Sequence, residues 1–250
     1  MSIVDLKYIQ EKITTNNGTP VDYRWTHGAT DKHLGDGLIV YSIIQMMRAK
    51  VCVCIGSGSG FIPRIMTQAR IDLYNQGIFE GNGDYNWGDI GTTYVVDACN
   101  GIGGPNDLDN EDSFYRKNFY PRFIKSTSLD AYYDFFVRQD IQIDFLFIDG
   151  DHSYEGVKID FELYSKLLSP SGLIMLHDTD STYEETLIIS EDAKKDHHRF
   201  DGPSKLVVEL KESKEWNVMN FHNFGIVKDK PSSSGITVIQ YAQSSNSSRT

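Results

Sequence analysis

The chain has 250 residues, 40% of them apolar and 24% charged, which suits one soluble α/β domain with a sizeable core. Its 24 basic against 35 acidic residues give a net charge of -11, and no basic stripe stands out, which argues against a nucleic-acid partner. No apolar run is long enough to span a bilayer and the N-terminus is no secretory signal, so the expectation is a cytoplasmic protein with no membrane partner.

Residues 1–34 read as a polar lead or lid. In it Arg24, Trp25 and His27 could fold over a ligand, or Trp25 could simply anchor the loop. Helical spacing follows over 33–50, at Leu38, Tyr41, Ile44, Gln45 and Arg48. Strand-like runs lie at 51–55, 93–97, 121–125, 143–148 and 172–177. Helical stretches lie between them at 61–74, 128–139 and 154–168, the last stopped by Pro170 and Gly172. The alternation predicts a Rossmann-like, doubly wound, mostly parallel sheet. Two closing segments, 216–227 and 235–242, have a turn-rich link and predict an antiparallel hairpin at one edge. One domain, 35–243, therefore follows the lead, with an insertion at 75–91 and a disordered tail at 244–250. The insertion carries Phe79, Tyr85 and Trp87, which would suit packing near a ligand or a homodimer contact.

The first predicted strand runs into alternating glycines, VCVCIGSGSG from Val51 to Gly60. Glycine admits positive φ and close approach of another group, and the helix that follows offers free N–H groups. Dinucleotide binders use G-x-G-x-x-G, but Phe61 stands where the third glycine would be. The G-x-G-x-G form resembles motif I of class I S-adenosylmethionine (SAM) dependent methyltransferases. That resemblance implies cofactor contacts from Gly56, Ser57, Gly58 and Gly60, and it departs at Cys54, where the family often has an acid. Asp97 closes the second strand, where an acid accepts hydrogen bonds from ribose hydroxyls, and Ala98 beside it could line an adenine pocket. After the third strand Ser126, Thr127 or Ser128 could meet the adenine edge, although Ser128 also reads as a helix N-cap. Cys52 and Cys54 share one strand face, the pattern of small buried hydrophobes, and no disulfide is implied.

Two acid clusters end the fourth and fifth strands. Asp149, Asp151 and His152 follow the fourth; His177, Asp178 and Asp180 follow the fifth. Adjacent parallel strands would set them side by side, and carboxylates with an imidazole suit a hard divalent ion, magnesium first. The pair IDGDHSYE (148–155) and LIMLHD (173–178) resembles the methyltransferase group of macrocin-type and other sugar O-methyltransferases, related to catechol O-methyltransferases.

That resemblance covers roughly residues 35–242 and implies a seven-stranded sheet whose last strand runs antiparallel. It further implies metal ligands at Asp149, His177 and Asp178, with Asp149 also facing the cofactor, and a general base at Asp151. His177 departs from the usual acid. The implied activity is methyl transfer from SAM to a hydroxyl of a small acceptor, a sugar among them, with Asp151 or His152 removing the proton. Asp151 could instead only cap the next helix, and Asp178 and Asp180 the one after. A metal-independent methyltransferase, a non-catalytic SAM-binding module and an NAD-dependent oxidoreductase stay open as alternatives. His197 and His198 form a poor metal site without a third ligand.

Overall fold

The computed structural model describes residues 27, 34–58, 60–77, 91–98, 121–180, 201–222, 226–227, 230–231 and 234–242. The lead apart from His27 and Leu34, nearly all of the 75–91 insertion, Ser59, Cys99, His197, His198 and the tail fall outside them.

Helix α1 (Gly37–Met47) precedes β1 (Val51–Ile55), which leads through the glycine turn into α2 (Phe61–Asn75). Strands β2 (Thr92–Val96) and β3 (Arg122–Ile124) follow, then α3 (Ser128–Ala131), which continues as a π-helical segment, Tyr132–Val137. Next come β4 (Ile143–Ile148), α4 (Tyr154–Tyr164), β5 (Leu168–His177), α5 (Asp201–Glu212), β6 (Trp216–Phe221) and β7 (Ile236–Tyr241). The seven strands make one sheet in the order β3-β2-β1-β4-β5-β7-β6, with β7 antiparallel to both of its neighbours. No helix among the described residues is long and apolar enough to cross a membrane.

Alternation along the central strands divides the core. Cys52, Cys54, Phe145, Phe147, Leu173 and Met175 pack with α1 and α2 on one face. Val53, Ile55, Leu146, Ile148, Ile174 and Leu176 pack with residues of α3, α4 and α5 on the other. Both cysteines of β1 are free and buried, as their shared face predicts. Helix α1 approaches α2 closely because Gly37 lacks a β-carbon, which would lie 2.8 Å from the Phe61 ring. Its buried side is Gly37, Val40, Tyr41 and Ile44, whereas Leu38 is exposed.

Local details correct the sequence reading. The 154–168 helix is α-helical to Tyr164 and closes in a 3-10 turn, Ser165–Leu167, because Leu168 already pairs with Ile143 at the start of β5. A register irregularity between Ile143 and Phe145 then accommodates Pro170 and Gly172 inside the long strand. The N-cap of α3 is Thr127, not Ser128: Thr127 Oγ1 accepts from Asp130 N–H at 3.1 Å and donates to Asp130 Oδ2 at 2.8 Å. The 216–227 segment is interrupted, with Ile226–Val227 pairing with Lys230–Pro231 apart from the main sheet. Helix α5, absent from the sequence reading, packs on α4, where Lys158 Nζ donates to Glu209 Oε1 at 2.8 Å.

Candidate active site

Parallel pairing aligns four strand ends. Ile55 is in register with Val96 on one side and Ile148 on the other, and Ile148 with Leu176. Gly56, Asp97, Asp149 and His177 therefore follow at one level of the sheet's C-terminal edge. The ladder extends one residue past three of the strands: Gly56 N–H donates to Val96 O, Asp149 N–H to Ile55 O (both 2.9 Å) and Asp97 N–H to Ile124 O (3.1 Å).

The glycines of the turn have different duties. Gly56, Gly58 and Gly60 have φ of 79°, 48° and 78°, in the left-handed region. A β-carbon on Gly56 would meet the Asp149 carbonyl oxygen at 2.0 Å, whereas one on Gly58 would meet nothing within 4 Å. Gly60 is the N-cap of α2. Ser57, buried between them, donates to Asp97 Oδ2 through both N–H (2.9 Å) and Oγ (2.6 Å). Asp97 thus braces the turn from the end of β2. Ala98 is exposed beside it, and Ser126 is half-buried in the turn after β3. Cys54 donates from Sγ to Gly56 O at 3.1 Å, so its side chain turns back on the loop. Phe61 is buried and stacks on His27, with ring centroids 6.4 Å apart, filling the place of a dinucleotide binder's third glycine.

At the ends of β4 and β5, carboxylates and imidazoles alternate. Asp149 Oδ1 lies 3.1 Å from His152 Nε2 and 3.3 Å from His177 Nδ1. Asp178 Oδ2 lies 3.3 Å from His152 Nε2, and its Oδ1 lies 3.2 Å from His177 Nδ1. The far nitrogen of His177, Nε2, faces Asp36 Oδ2 at 3.2 Å, His27 Nδ1 at 3.1 Å and Ser234 Oγ at 3.4 Å. Asp178 and His27 both have left-handed backbones, with φ of 54° and 51°. Asp tolerates that region, and at both positions it turns the side chain into the cluster.

Asp151 stands apart from this group. It is exposed, and its Oδ1 accepts from Ser153 N–H at 2.9 Å just ahead of α4, whose N-cap is Ser153. Its neighbour His152 is, with His177, one of two rings that join Asp149 and Asp178. Asp180 is also separate: it is buried, with its N–H donating to Ser234 O at 2.9 Å and its carboxylate 4.0 Å from His222 Nδ1.

Electrostatics favour positive charge at the centre of the cluster. Burial opposes charge on His177, but Asp178 and Asp149 outweigh it and raise the imidazole well above its ordinary range. Burial likewise works against the Asp149 and Asp178 carboxylates, and His177 more than offsets it, holding both below the usual range. His152 is raised: burial lowers it, but its hydrogen bond to Asp149 and the Asp178 charge prevail. His27 is lowered by burial and then by His177, so it stays neutral.

The donors fit a divalent cation. Asp149, His152 and Asp178 offer ligand atoms within 4.8 Å of one another, as do His27, Asp36 and His177. His177 Nδ1 is buried between two carboxylate oxygens, yet has no hydrogen-bond partner among the described residues. Once an ion displaces its proton, a nitrogen so placed could direct a lone pair at that ion.

Asp36 is the residue that sequence reasoning missed. Its only local signal, a position just ahead of a helix, reads as an N-cap, but the side chain makes no capping bond and turns to His177 instead.

A family model described as "Methyltransferase domain" matches residues 53–179, slightly more than half of the chain. Among solved structures, an O-methyltransferase from Bacillus cereus in complex with SAH has 17% identity and a TM-score of 0.58, over 95% of this chain and 92% of that one. The SAM-bound O-methyltransferase TomG of tomaymycin synthesis, from Streptomyces achromogenes, has 11% identity and a TM-score of 0.59, over 95% and 89%. SAH-bound methyltransferase PaMTH1 from Podospora anserina has 13% identity and a TM-score of 0.59, over 97% and 90%. At these identities the likeness is one of fold. A curated relative, uncharacterized protein y4gI of Sinorhizobium fredii, is 36% identical over 61 residues, 24% of this chain, and the chain spans 6% of that protein's length.

Proposed function

Because the chain belongs to the methyltransferase-domain family and is a SAM-dependent methyltransferase, we propose that it methylates a hydroxyl oxygen of a small acceptor with the help of a divalent cation. A sugar hydroxyl is the acceptor class we put first, on the likeness of the 148–155 and 173–178 motifs to sugar O-methyltransferases. The observation that carries the reading is the alignment of Gly56 with Asp149 and His177 on one sheet edge. A donor cradled by the glycine turn and an acceptor at the carboxylate–histidine cluster would then be neighbours.

SAM brings a methyl group already activated on a sulfonium, so orientation of the acceptor oxygen supplies most of the rate gain. The open side of Gly58 leaves room for the donor, while Asp97 holds the Ser57 backbone and stands where ribose hydroxyls would be bound. A cation at Asp149, His177 and Asp178 would supply Lewis-acid polarisation of the acceptor hydroxyl.

His152 serves as the general base in this reading. Its ring reaches both carboxylates, its side chain is 20% exposed, and Asp149 orients it. Asp151, committed to the Ser153 N–H, serves to shape the turn ahead of α4. Calorimetry with SAH, followed by methylation assays on polyhydroxylated acceptors with and without EDTA, tests the proposal. Absence of SAH binding would sink it.

A further inference from the structure

We propose that His177 ligates the cation through Nδ1, held in that orientation by Asp36, and that this nitrogen donor gives the site a preference for zinc and cobalt(II) over magnesium. The inference rests on the reading above only in taking a cation site to exist at the ends of β4 and β5.

The two ring nitrogens of His177 have unlike surroundings. Nε2 has a carboxylate oxygen of Asp36 at 3.2 Å and the Nδ1 of His27 at 3.1 Å. An N–H on Nε2 therefore has an acceptor, and the carboxylate is the stronger one. Metal binding releases the second imidazole proton, and with the remaining one kept on Nε2, Nδ1 turns its lone pair to the ion. That lone pair lies 3.3 Å from Asp149 Oδ1 and 3.2 Å from Asp178 Oδ1, with no hydrogen-bond partner among the described residues. Both oxygens stand from Nδ1 as neighbouring ligands on one ion would, since bond lengths of about 2.0–2.1 Å put such ligands roughly 3 Å apart. A carboxylate behind an imidazole that faces a metal is the usual way to fix its tautomer and raise its basicity.

Asp36 is placed for this by packing. It is buried at the start of α1, its N–H donates to His27 O at 2.9 Å, and the neighbouring Gly37 lies against Phe61. Helix α1 thus carries a positioning residue to a ligand on β5. An imidazole among the donors shifts a site from magnesium, which favours oxygen alone, toward zinc and cobalt(II).

The test measures binding rather than turnover. Titration calorimetry on the full chain with zinc, cobalt(II) and magnesium should give one ion per chain, with zinc and cobalt(II) binding at least a hundredfold more tightly than magnesium. His177→Asp should shrink that ratio at least tenfold. Pulsed EPR of the vanadyl-loaded protein should show directly coordinated imidazole nitrogen, which persists in His152→Ala and is lost in His177→Asp. Asp36→Ala should weaken cobalt(II) binding about tenfold to a hundredfold, with Asp36→Asn, which keeps an acceptor oxygen, recovering part of it. SAH affinity and the thermal midpoint, unchanged in each variant, certify the fold.

Nitrogen coupling that survives His177→Asp would overturn the ligand assignment. Two ions per chain would overturn the role of Asp36, because His27, Asp36 and His177 would then be a second centre. Wild-type protein that binds SAH but no cation would overturn the whole inference while leaving methyl transfer standing. Loss of SAH binding with a cation still bound would do the reverse.

Discussion

A β-carbon on Gly56 would lie 2.0 Å from the carbonyl oxygen of Asp149, so the ends of β1 and β4 touch backbone to backbone. Gly56→Ala must displace one of two buried strands and also hold φ near 79°. We expect a loss of stability on the order of 3 kcal/mol, read by urea unfolding, together with loss of SAH binding. A variant as stable as the wild type would show that β1 and β4 are less closely joined than described.

Gly58→Ala separates space from strain. No atom lies within 4 Å of the added carbon, so only the left-handed φ of 48° opposes it in the free protein. The expected cost is about 1 kcal/mol. SAH affinity measured by calorimetry should fall tenfold or more, because the methyl would enter the space assigned to the donor. Unchanged affinity would place the donor elsewhere.

Removal of the carboxylate in Asp97→Ala deprives the Ser57 N–H and Oγ of their common acceptor. SAH affinity should drop, and cation affinity at the β4 and β5 ends should not. Equal losses of both would mean that the two halves of the site are not independent.

Asp178→Ala has the opposite signature: loss of cation-dependent turnover with SAH affinity largely intact. Excess EDTA should reproduce it in the unmodified protein. Full turnover in EDTA would retire the cation and leave His152 and the carboxylates as a purely proton-handling group.

Asp160 gives a prediction about pH. It is buried on α4, and burial pushes its carboxyl up to about 6, with the Asp151 charge adding to the rise and a hydrogen bond with Ser128 opposing it. A folded value above the unfolded one means that the folded state binds the proton more tightly. The group therefore costs stability above pH 6, and the cost fades as pH falls toward 4. Asp160→Asn should stabilise the protein at pH 8 by on the order of 2 kcal/mol and much less at pH 4. Chemical denaturation at the two pH values measures the difference; an equal effect at both would refute the assignment.

The parallel strands and the glycine turn were legible because their signals are local. An apolar run that ends in alternating glycines, or in paired acids, announces a strand end whatever lies around it. Asp36 was not legible, since its meaning comes from a partner 141 residues away. The division between Asp151 and His152 was hidden for a different reason: both follow β4, and only the path into α4 sends one to the Ser153 N–H and the other to Asp149. Helix α5 escaped because the charged residues of its outer face blurred its apolar spacing. The helical stretch ends at Leu167, one residue short of the expected end, because pairing of Leu168 with Ile143 outweighs local helix propensity.

Asp36 leaves the ribosome before any strand of the sheet, and His177 after five of its seven. The surroundings of His177 are therefore complete only once α1, β4 and the later Ser234 and Ile236 have all been made and brought to it. A chain stalled at the stage of β1, β2 and β3 would have a glycine turn without the carboxylate–histidine cluster. Readiness for chemistry is thus a late event in folding, set by long-range contacts in the site.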